Sequence, residues 1–146
     1  MSSEVIATSK SVFKTIPKNI PNAKKHLVLN PFDNYLYNKN QSRKFINDNY
    51  KFKNTEFVIG IVGRIEKIKK IENFIEVFSE WLKINKLNKI QLLICGTGDS
   101  DYIKKLKNLI KKLKLNNIIF TGFIDDHLKL LCGLDLLVAP SPVDAF

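Results

Sequence analysis

From Phe57 onward, short apolar runs alternate with segments whose apolar residues recur at helical spacing. The runs are FVIGIV (57–62), IQLLIC (90–95), IIFTG (118–122) and DLLVAP (135–140). The segment over 71–84 has Ile71, Phe74, Ile75, Phe78 and Leu82 on one face, and the segment over 101–115 has Tyr102, Leu106, Leu109, Ile110 and Leu113. A shorter helix is predicted over 125–134. Near-continuous apolar strands suit a sheet covered on both faces. The alternation therefore predicts an α/β fold with a parallel, doubly wound sheet and helices on both faces.

The first part of the chain gives a weaker signal. EVIA (4–7) and HLVL (26–29) resemble strands, and a proline- and asparagine-rich stretch with Pro17 and Pro21 precedes the second of them. That stretch is predicted to be a linker. The following NPFDNYLYNKNQS (30–42) is predicted to be a loop, because it is rich in asparagine and has no apolar periodicity.

Composition is ordinary for a soluble globular protein except for its charge. Apolar residues make up 45% and charged residues 26%, but the net charge is +10 and the only arginines are Arg43 and Arg64. Abundant lysine, asparagine and isoleucine suggest codon bias in an AT-rich genome; a nucleic-acid-binding surface is the alternative. Cys95 and Cys132 lie in separate apolar runs without metal-site spacing, which predicts two reduced, buried thiols in a cytosolic protein. Neither a signal peptide nor a membrane span is predicted.

Cations follow the first of the four strands. Gly63 and Arg64 end that strand, and Lys69 and Lys70 come shortly before the predicted helix. Because ligands of such folds bind beyond the carboxyl ends of the strands, these cations are candidates for an anion site. Arginine suits phosphate oxygens through its planar guanidinium. The alternative is a set of ordinary surface cations, which we favour for Lys67 and Lys70.

Glycines follow the second and third strands. Gly96 and Gly98 would let a ligand approach the backbone, although a plain strand-to-helix turn explains them too. The adjoining Asp99-Ser100-Asp101 has the DxD pattern of some metal–nucleotide sites, but we interpret it as a helix cap. Gly122 and Phe123 could bring backbone and an aromatic ring to a nucleobase. A turn capped by Asp125 or Asp126 is the alternative, and His127 is interpreted as a helix-surface residue.

The fourth strand end, PSPVDAF, offers Ser141 and Asp144 as partners for sugar hydroxyls. Taken in order, VGRIEKIK, LLICGTG, IIFTGF and DLLVAPSPVDAF resemble the C-terminal domain of retaining glycosyltransferases of the GT-B fold, group one (family four). EVIATSKSVFK is similar to the end of that family's N-terminal domain, and LVLNPFD is similar to its interdomain entry. The resemblance covers nearly the whole chain.

The resemblance implies a Rossmann-like domain that binds a nucleotide-diphosphate sugar and transfers the sugar with retention, without a metal or other cofactor. Arg64 and Lys69 would neutralise the leaving diphosphate. Gly63, Gly96, Gly98, Gly122 and Phe123 would surround the nucleotide sugar. Ser141 and Asp144 would address its sugar or phosphate, with Asp144 standing where the family has a glutamate. The acceptor would be a glycan or lipid-linked sugar, as in polysaccharide biosynthesis. The location would be cytoplasmic, at most peripheral to the inner face of the membrane.

The resemblance further implies a truncated protein. Residues 1–30 would be the end of an acceptor domain with its linker, and 31–146 an incomplete nucleotide-sugar-binding domain. The ending SPVDAF would be the first half of a longer signature, and Pro31 stands at the usual hinge glycine. Such a fragment, lacking most of its N-terminal partner domain, is expected to be inactive alone.

Two other functions remain open at this point. The lysines of residues 104–114 could form a non-catalytic basic module that binds nucleic acid or an anionic surface, although no specific nucleic-acid partner is expected. A NAD-dependent dehydrogenase domain is the other alternative. It lacks the third glycine of the dinucleotide motif and an acidic residue after the next strand.

Overall fold

The computed structural model describes residues 4–17, 24–29, 37–51, 56–85 and 89–142. The chain divides into two compact units, the first containing Met1–Asn34 and the second Tyr35–Pro142. Within the described residues, no helix combines the length and the apolar character needed to cross a membrane.

The first unit pairs two short parallel strands, β1 (Glu4–Ala7) and β2 (Lys24–Leu27). Helix α1 (Lys10–Thr15) lies between them in sequence, and the Ser9 hydroxyl caps it by accepting the Val12 N–H at 3.2 Å. The strand predicted at 4–7 is confirmed. The strand predicted at 26–29 instead covers Lys24–Leu27. It pairs residue by residue with Glu4–Ala7, and the last pair is Ala7 with Leu27. Most of the predicted linker lies outside the described residues.

The second unit is built on a four-stranded parallel sheet. Its strands are β3 (Phe57–Val62), β4 (Ile90–Cys95), β5 (Ile118–Gly122) and β6 (Leu136–Leu137), in the order β5-β4-β3-β6. The chain moves outward from β3 through β4 to β5 and then returns to the other side of β3. The strand order therefore reverses beside β3, and folds of this kind bind ligands in the crevice at such a point.

Helices cover both faces of this sheet, as predicted. On one face α3 (Ile71–Asn85) and α4 (Ser100–Lys112) pack on strand residues that include Ile59 and Leu92. On the other, α2 (Lys39–Tyr50) and α5 (His127–Gly133) meet a cluster that includes Val58 and Leu93. Neighbouring residues of one strand thus enter opposite cores, which explains why the strands are apolar throughout.

Two segments and one cysteine of this unit differ from the sequence prediction. Residues 39–42, expected in a loop, form the first turn of α2, which the Asn38 side chain caps by accepting the N–H groups of Asn40 and Gln41. The last strand is limited to Leu136–Leu137 rather than the whole of 135–140. Cys95 is buried, as expected, but Cys132 is only half-buried; both are free thiols.

One ion pair fixes α2 to the sheet. Asp135, immediately before β6, binds the Arg43 guanidinium and also accepts the Val58 backbone N–H at 2.8 Å. Lys39 lies 3.2 Å from the same carboxylate. Arg43, one of the two arginines of the chain, thus has a structural role. The other arginine, Arg64, does not take part in this ion pair and is paired with Glu66.

Candidate functional site

A cavity of about 440 Å³ opens at the carboxyl edge of the sheet. Its lining comes from the ends of β3, β4 and β5 and from the start of α5: Val62, Gly63, Arg64, Cys95, Gly96, Thr97, Phe123, Ile124 and His127. This volume lies in the range of small-molecule sites. The cavity therefore lies where a parallel α/β sheet is expected to bind its ligand.

Backbone hydrogen bonds hold the three strand ends together. Beyond β3, the Gly63 N–H donates to the Cys95 carbonyl at 3.0 Å and the Ile65 N–H donates to the Thr97 carbonyl at 2.9 Å. The Gly96 N–H donates to the Gly122 carbonyl at 2.8 Å. The backbone ladder of the sheet thus continues past the strand ends into the segments that line the cavity.

Two glycines make this contact between loops possible. A Cβ atom on Gly96 would lie 2.0 Å from the Gly63 carbonyl oxygen, and one on Gly98 would lie 2.2 Å from the Ile65 carbonyl oxygen. Gly96 also has a φ of +134°, which side-chain-bearing residues rarely adopt. The sequence suggested that these glycines admit a ligand. In the structure, the space beside each is occupied by the neighbouring loop.

Arg64 supplies the positive charge of the cavity wall. Its side chain is 80% exposed, and its Nη2 lies 2.7 Å from Oε1 of Glu66. The guanidinium stands at a strand end where it can turn toward an anion in the cavity. A guanidinium offers a fork of donors that matches two phosphate oxygens.

Part of the cavity lining is apolar. Phe123 is 73% exposed although it is a large aromatic residue, and it follows Gly122 directly. Ile124 and Val62 add aliphatic surface beside it. An exposed ring and an arginine thus line the same cavity and supply a flat apolar surface and a cation, which suits a ligand with an aromatic ring and a negative group.

Cys95 lies at the base of the cavity but is not suited to act as a nucleophile. Only 4% of the residue is exposed, and burial raises the pKa of its thiol. The thiol therefore stays protonated at neutral pH, and the thiolate is the reactive form. Covalent attack by this residue is therefore not expected.

The other predicted site residues have different positions. Gly98 lies in the loop after β4 and Gly122 is the last residue of β5, and neither is among the lining residues. Lys69 is half-buried in a 3-10 turn (Lys67–Lys69), and Ser141 is half-buried beyond β6; neither is among the lining residues. Asp144 lies outside the described residues. The structure thus brings Gly63, Arg64, Gly96 and Phe123 together.

The acidic residues near these loops are helix caps, as the sequence indicated. Asp99 accepts the N–H groups of Asp101 and Tyr102, each at 2.9 Å, and begins α4. Asp126 accepts the Lys129 N–H at 3.1 Å and begins α5. His127, interpreted as a surface residue, is exposed and also lines the cavity.

Four lining residues were not predicted from the sequence, namely Val62, Cys95, Thr97 and Ile124. Each is the direct neighbour of a residue that was singled out. The available signal was therefore adjacency to a strand-end glycine or to Phe123, because a cavity formed by strand ends is lined by consecutive residues.

Comparison with known proteins gives a consistent result. The family described as "Glycosyl transferases group 1" matches residues 42–146. A glycogen synthase of Mycoplasma mobile is 37% identical over 87 residues, which cover 58% of this chain and 17% of that protein.

Two solved structures illustrate the likeness of fold. HepE (Alr3699) of Anabaena, crystallised with UDP and glucose, superposes with a TM-score of 0.71 at 23% identity over 93% of this chain and 37% of its own. The C-terminal domain of LpcC, a group 1 family glycosyl transferase of Francisella tularensis, gives a TM-score of 0.62 at 29% identity, over 76% of this chain and 57% of its own. This chain thus spans well under half of the glycogen synthase and of HepE.

Proposed function

The chain belongs to the group 1 glycosyl transferase family, and on that premise we propose that its second unit binds the nucleotide-diphosphate sugar from which the family transfers a sugar. The observation that carries the proposal is the cavity at the carboxyl edge of the sheet, whose lining includes both Arg64 and Phe123. HepE, with the same fold, was crystallised with UDP and glucose. UDP is therefore the first ligand to test.

Arg64 and Phe123 would bind different parts of such a ligand, the diphosphate and the base. The diphosphate carries the negative charge that Arg64 can neutralise, through charge-assisted hydrogen bonds. The exposed ring of Phe123 offers a stacking surface for the base, and such stacking contributes about 1–3 kcal/mol per base. Gly63, which lines the cavity and has no atom within 4 Å of where a Cβ would stand, would let the ligand lie close to the loop backbone. Gly96 and Gly98 would act indirectly, by letting the loops after β3 and β4 pack together, and Gly122 would lie at the end of β5 near the ligand.

The proposed reaction is transfer of the sugar to an acceptor with retention at the anomeric carbon. Negative charge grows on the leaving diphosphate as the glycosidic bond breaks. A cation held beside those oxygens stabilises the transition state more than the ground state. We assign this role to Arg64 and, by family resemblance, to Lys69. Ser141 and Asp144 would contact the sugar or its phosphate, and no metal is invoked.

A second, acceptor-binding domain completes the proposal. The chain spans 17% of the glycogen synthase and 37% of HepE, and group 1 enzymes resembling it bind the acceptor on another domain. We therefore expect this chain to bind the nucleotide sugar but not to transfer the sugar by itself. The acceptor would be a glycan or a lipid-linked sugar. The two free thiols favour a reducing cytoplasm as the compartment.

Calorimetric titration with UDP and UDP-glucose tests the binding step. We expect wild-type chain to bind both, and Arg64→Ala to lose about 10-fold or more in affinity, since hydrogen bonds to charged groups contribute about 1.5–3 kcal/mol. Lys112→Ala is the matched control, because it also removes one positive charge but lies in the last turn of α4, away from the strand ends. Equal losses in both variants, or no binding by the wild type, would refute the proposal.

A further inference from the structure

The outer surface of α3 carries an apolar groove that the proposed sugar chemistry does not use. The groove has a volume of about 450 Å³ and is lined by Glu76, Val77, Glu80, Trp81 and Ile84 of α3 and by Leu113 at the end of α4. Val77 is 65% exposed, Trp81 40% and Ile84 77%. Large apolar side chains that cluster in water on one helix face indicate an interaction surface.

Exposed lysines lie on the adjacent helix, α4. Both α3 and α4 direct their buried residues, such as Phe78 and Leu106, into the same core. Their exposed side chains therefore point away from the same face of the sheet. On α4 these include Lys105, Lys111 and Lys112. We call the surface formed by Val77, Trp81, Ile84, Lys105, Lys111 and Lys112 the α3–α4 outer face.

The α3–α4 outer face has a net positive charge, because two of the acidic residues near it are paired with other lysines. Within the described part of the chain, Glu80 is paired with Lys83 at 2.8 Å and Asp101 faces Lys104 at 3.4 Å. Glu76 remains as an acidic residue of the groove. The three lysines of the face outnumber it, so an anionic partner is favoured over a basic one.

The apolar residues decide between two anionic partners. Nucleic acid is bound by lysines interleaved with aromatic rings on which bases stack. Here the groove reaches Leu113, the residue after Lys112, so the lysines lie on the helix beside the apolar patch. In that patch two of the three exposed residues of α3, Val77 and Ile84, are aliphatic, with Trp81 between them on the helix. Aliphatic residues enter the boundary of a bilayer, tryptophan is enriched at that boundary, and lysines contact lipid phosphates.

We propose that the α3–α4 outer face docks on an anionic membrane surface, with Val77, Trp81 and Ile84 entering the headgroup region and the lysines binding lipid phosphates. The helices lie flat on the surface and do not span it. The strand-end cavity belongs to another edge of the same unit, so docking leaves it accessible. This proposal does not depend on nucleotide binding, because the two surfaces share no residues.

Trp81 is the only tryptophan of the chain, so its fluorescence reports directly on this face. Full-length chain is titrated with vesicles of phosphatidylcholine alone or with added phosphatidylglycerol. We expect a blue shift of the emission with the anionic vesicles only, because the indole leaves water when it docks. About 0.5 M NaCl should reverse the shift, since screening removes most of the attraction between exposed charges.

Two double variants locate the surface. Lys111→Gln with Lys112→Gln should weaken vesicle binding roughly 10- to 30-fold, as each lysine near an anionic surface contributes on the order of 1 kcal/mol. Val77→Gln with Ile84→Gln should weaken it by at least about fivefold through lost apolar burial. The matched control is Lys44→Gln with Lys51→Gln, at and just beyond α2, which covers the opposite face of the sheet. This control removes the same amount of positive charge, and it should bind anionic vesicles with nearly the affinity of the wild type.

Several results would overturn the proposal. These are the absence of a blue shift with anionic vesicles, an equal loss in the α2 control, or binding of a single-stranded RNA probe that depends on Lys111 and Lys112 while vesicles leave Trp81 unchanged. A change of oligomeric state on mutating Val77 and Ile84, without a change in vesicle binding, would assign the groove to a second copy instead. Circular dichroism of each variant shows whether it is folded.

Discussion

The guanidinium of Arg64 lies 2.7 Å from the carboxylate of Glu66, a residue only two positions along the chain. The same guanidinium lines the strand-end cavity. An anion in the cavity that binds the Nη2 donors of Arg64 competes with Glu66 for them. The pair is exposed, and exposed pairs contribute about 0.2–1 kcal/mol. Glu66 therefore opposes anion binding weakly.

Replacing Glu66 with glutamine is expected to raise the affinity for UDP about two- to fivefold, the range that corresponds to loss of a weak exposed pair. Calorimetric titration measures the change. Glu76→Gln on α3 removes one negative charge elsewhere and should leave the affinity nearly unchanged. If Glu66→Gln instead lowers the affinity, Glu66 positions Arg64 for the ligand rather than competing with it.

Alanine variants of Gly63 and Gly96 test the close contact between the segments that follow β3 and β4. Both have positive φ, +145° and +134°, but only at Gly96 would a Cβ meet the neighbouring backbone; at Gly63 no atom lies within 4 Å. Gly63→Ala should destabilise the fold by about 1–2 kcal/mol through conformation alone. Gly96→Ala should cost about 1–3 kcal/mol more through overpacking. Urea unfolding of both variants gives the comparison, and equal losses would contradict the close approach.

Asp135→Asn is expected to destabilise the second unit by about 3 kcal/mol, because it leaves Arg43 without its charged partner in a mostly buried position. Burial alone would raise the pKa of Asp135. The hydrogen bonds from the Val58 N–H, Arg43 and Lys39 outweigh burial and hold that pKa below its usual value. The folded form thus keeps this carboxylate ionised after the unfolded chain has begun to take up protons.

The pH dependence of the stability follows from the difference between the pKa of Asp135 in the folded chain and in the unfolded chain. The stabilisation from Asp135 is present above the ordinary aspartate pKa of about 3.9 and is lost as the pH falls through the lower folded-state value. Urea unfolding across acidic pH should therefore show wild type and Asp135→Asn converging as the pH drops. A stability difference that stayed constant with pH would contradict the assignment.

The architecture of the second unit was predictable because its signals are local and strong. Strands β3, β4 and β5 begin and end where their apolar runs do, and the predicted apolar faces of α3 and α4 are the faces that pack on the sheet. Helix α2 was missed, since only Ser42 and Ile46 are buried among its twelve residues. Two buried positions leave no periodicity that a sequence pattern can reveal.

The site was predictable in kind but not in detail. Strand ends in a parallel sheet meet at one edge, which is why Gly63, Arg64, Gly96 and Phe123 could be singled out together. The sequence could not tell whether Gly96 makes room for a ligand or for a neighbouring loop, because both require a residue without a Cβ. Similarly, a lysine near Arg64 in sequence need not face the same cavity, and Lys69 lies in a turn outside its wall.

The most direct test of nucleotide-sugar binding is a two-dimensional amide NMR titration of the isotope-labelled chain with UDP-glucose. The account predicts chemical-shift changes at Gly63, Arg64, Gly96, Thr97, Phe123 and Ile124, which surround the strand-end cavity. The α3–α4 outer face should stay unchanged in the same spectra. Saturating UDP-glucose that shifts no cavity amide, or shifts only amides of α3 and α4, would contradict the account.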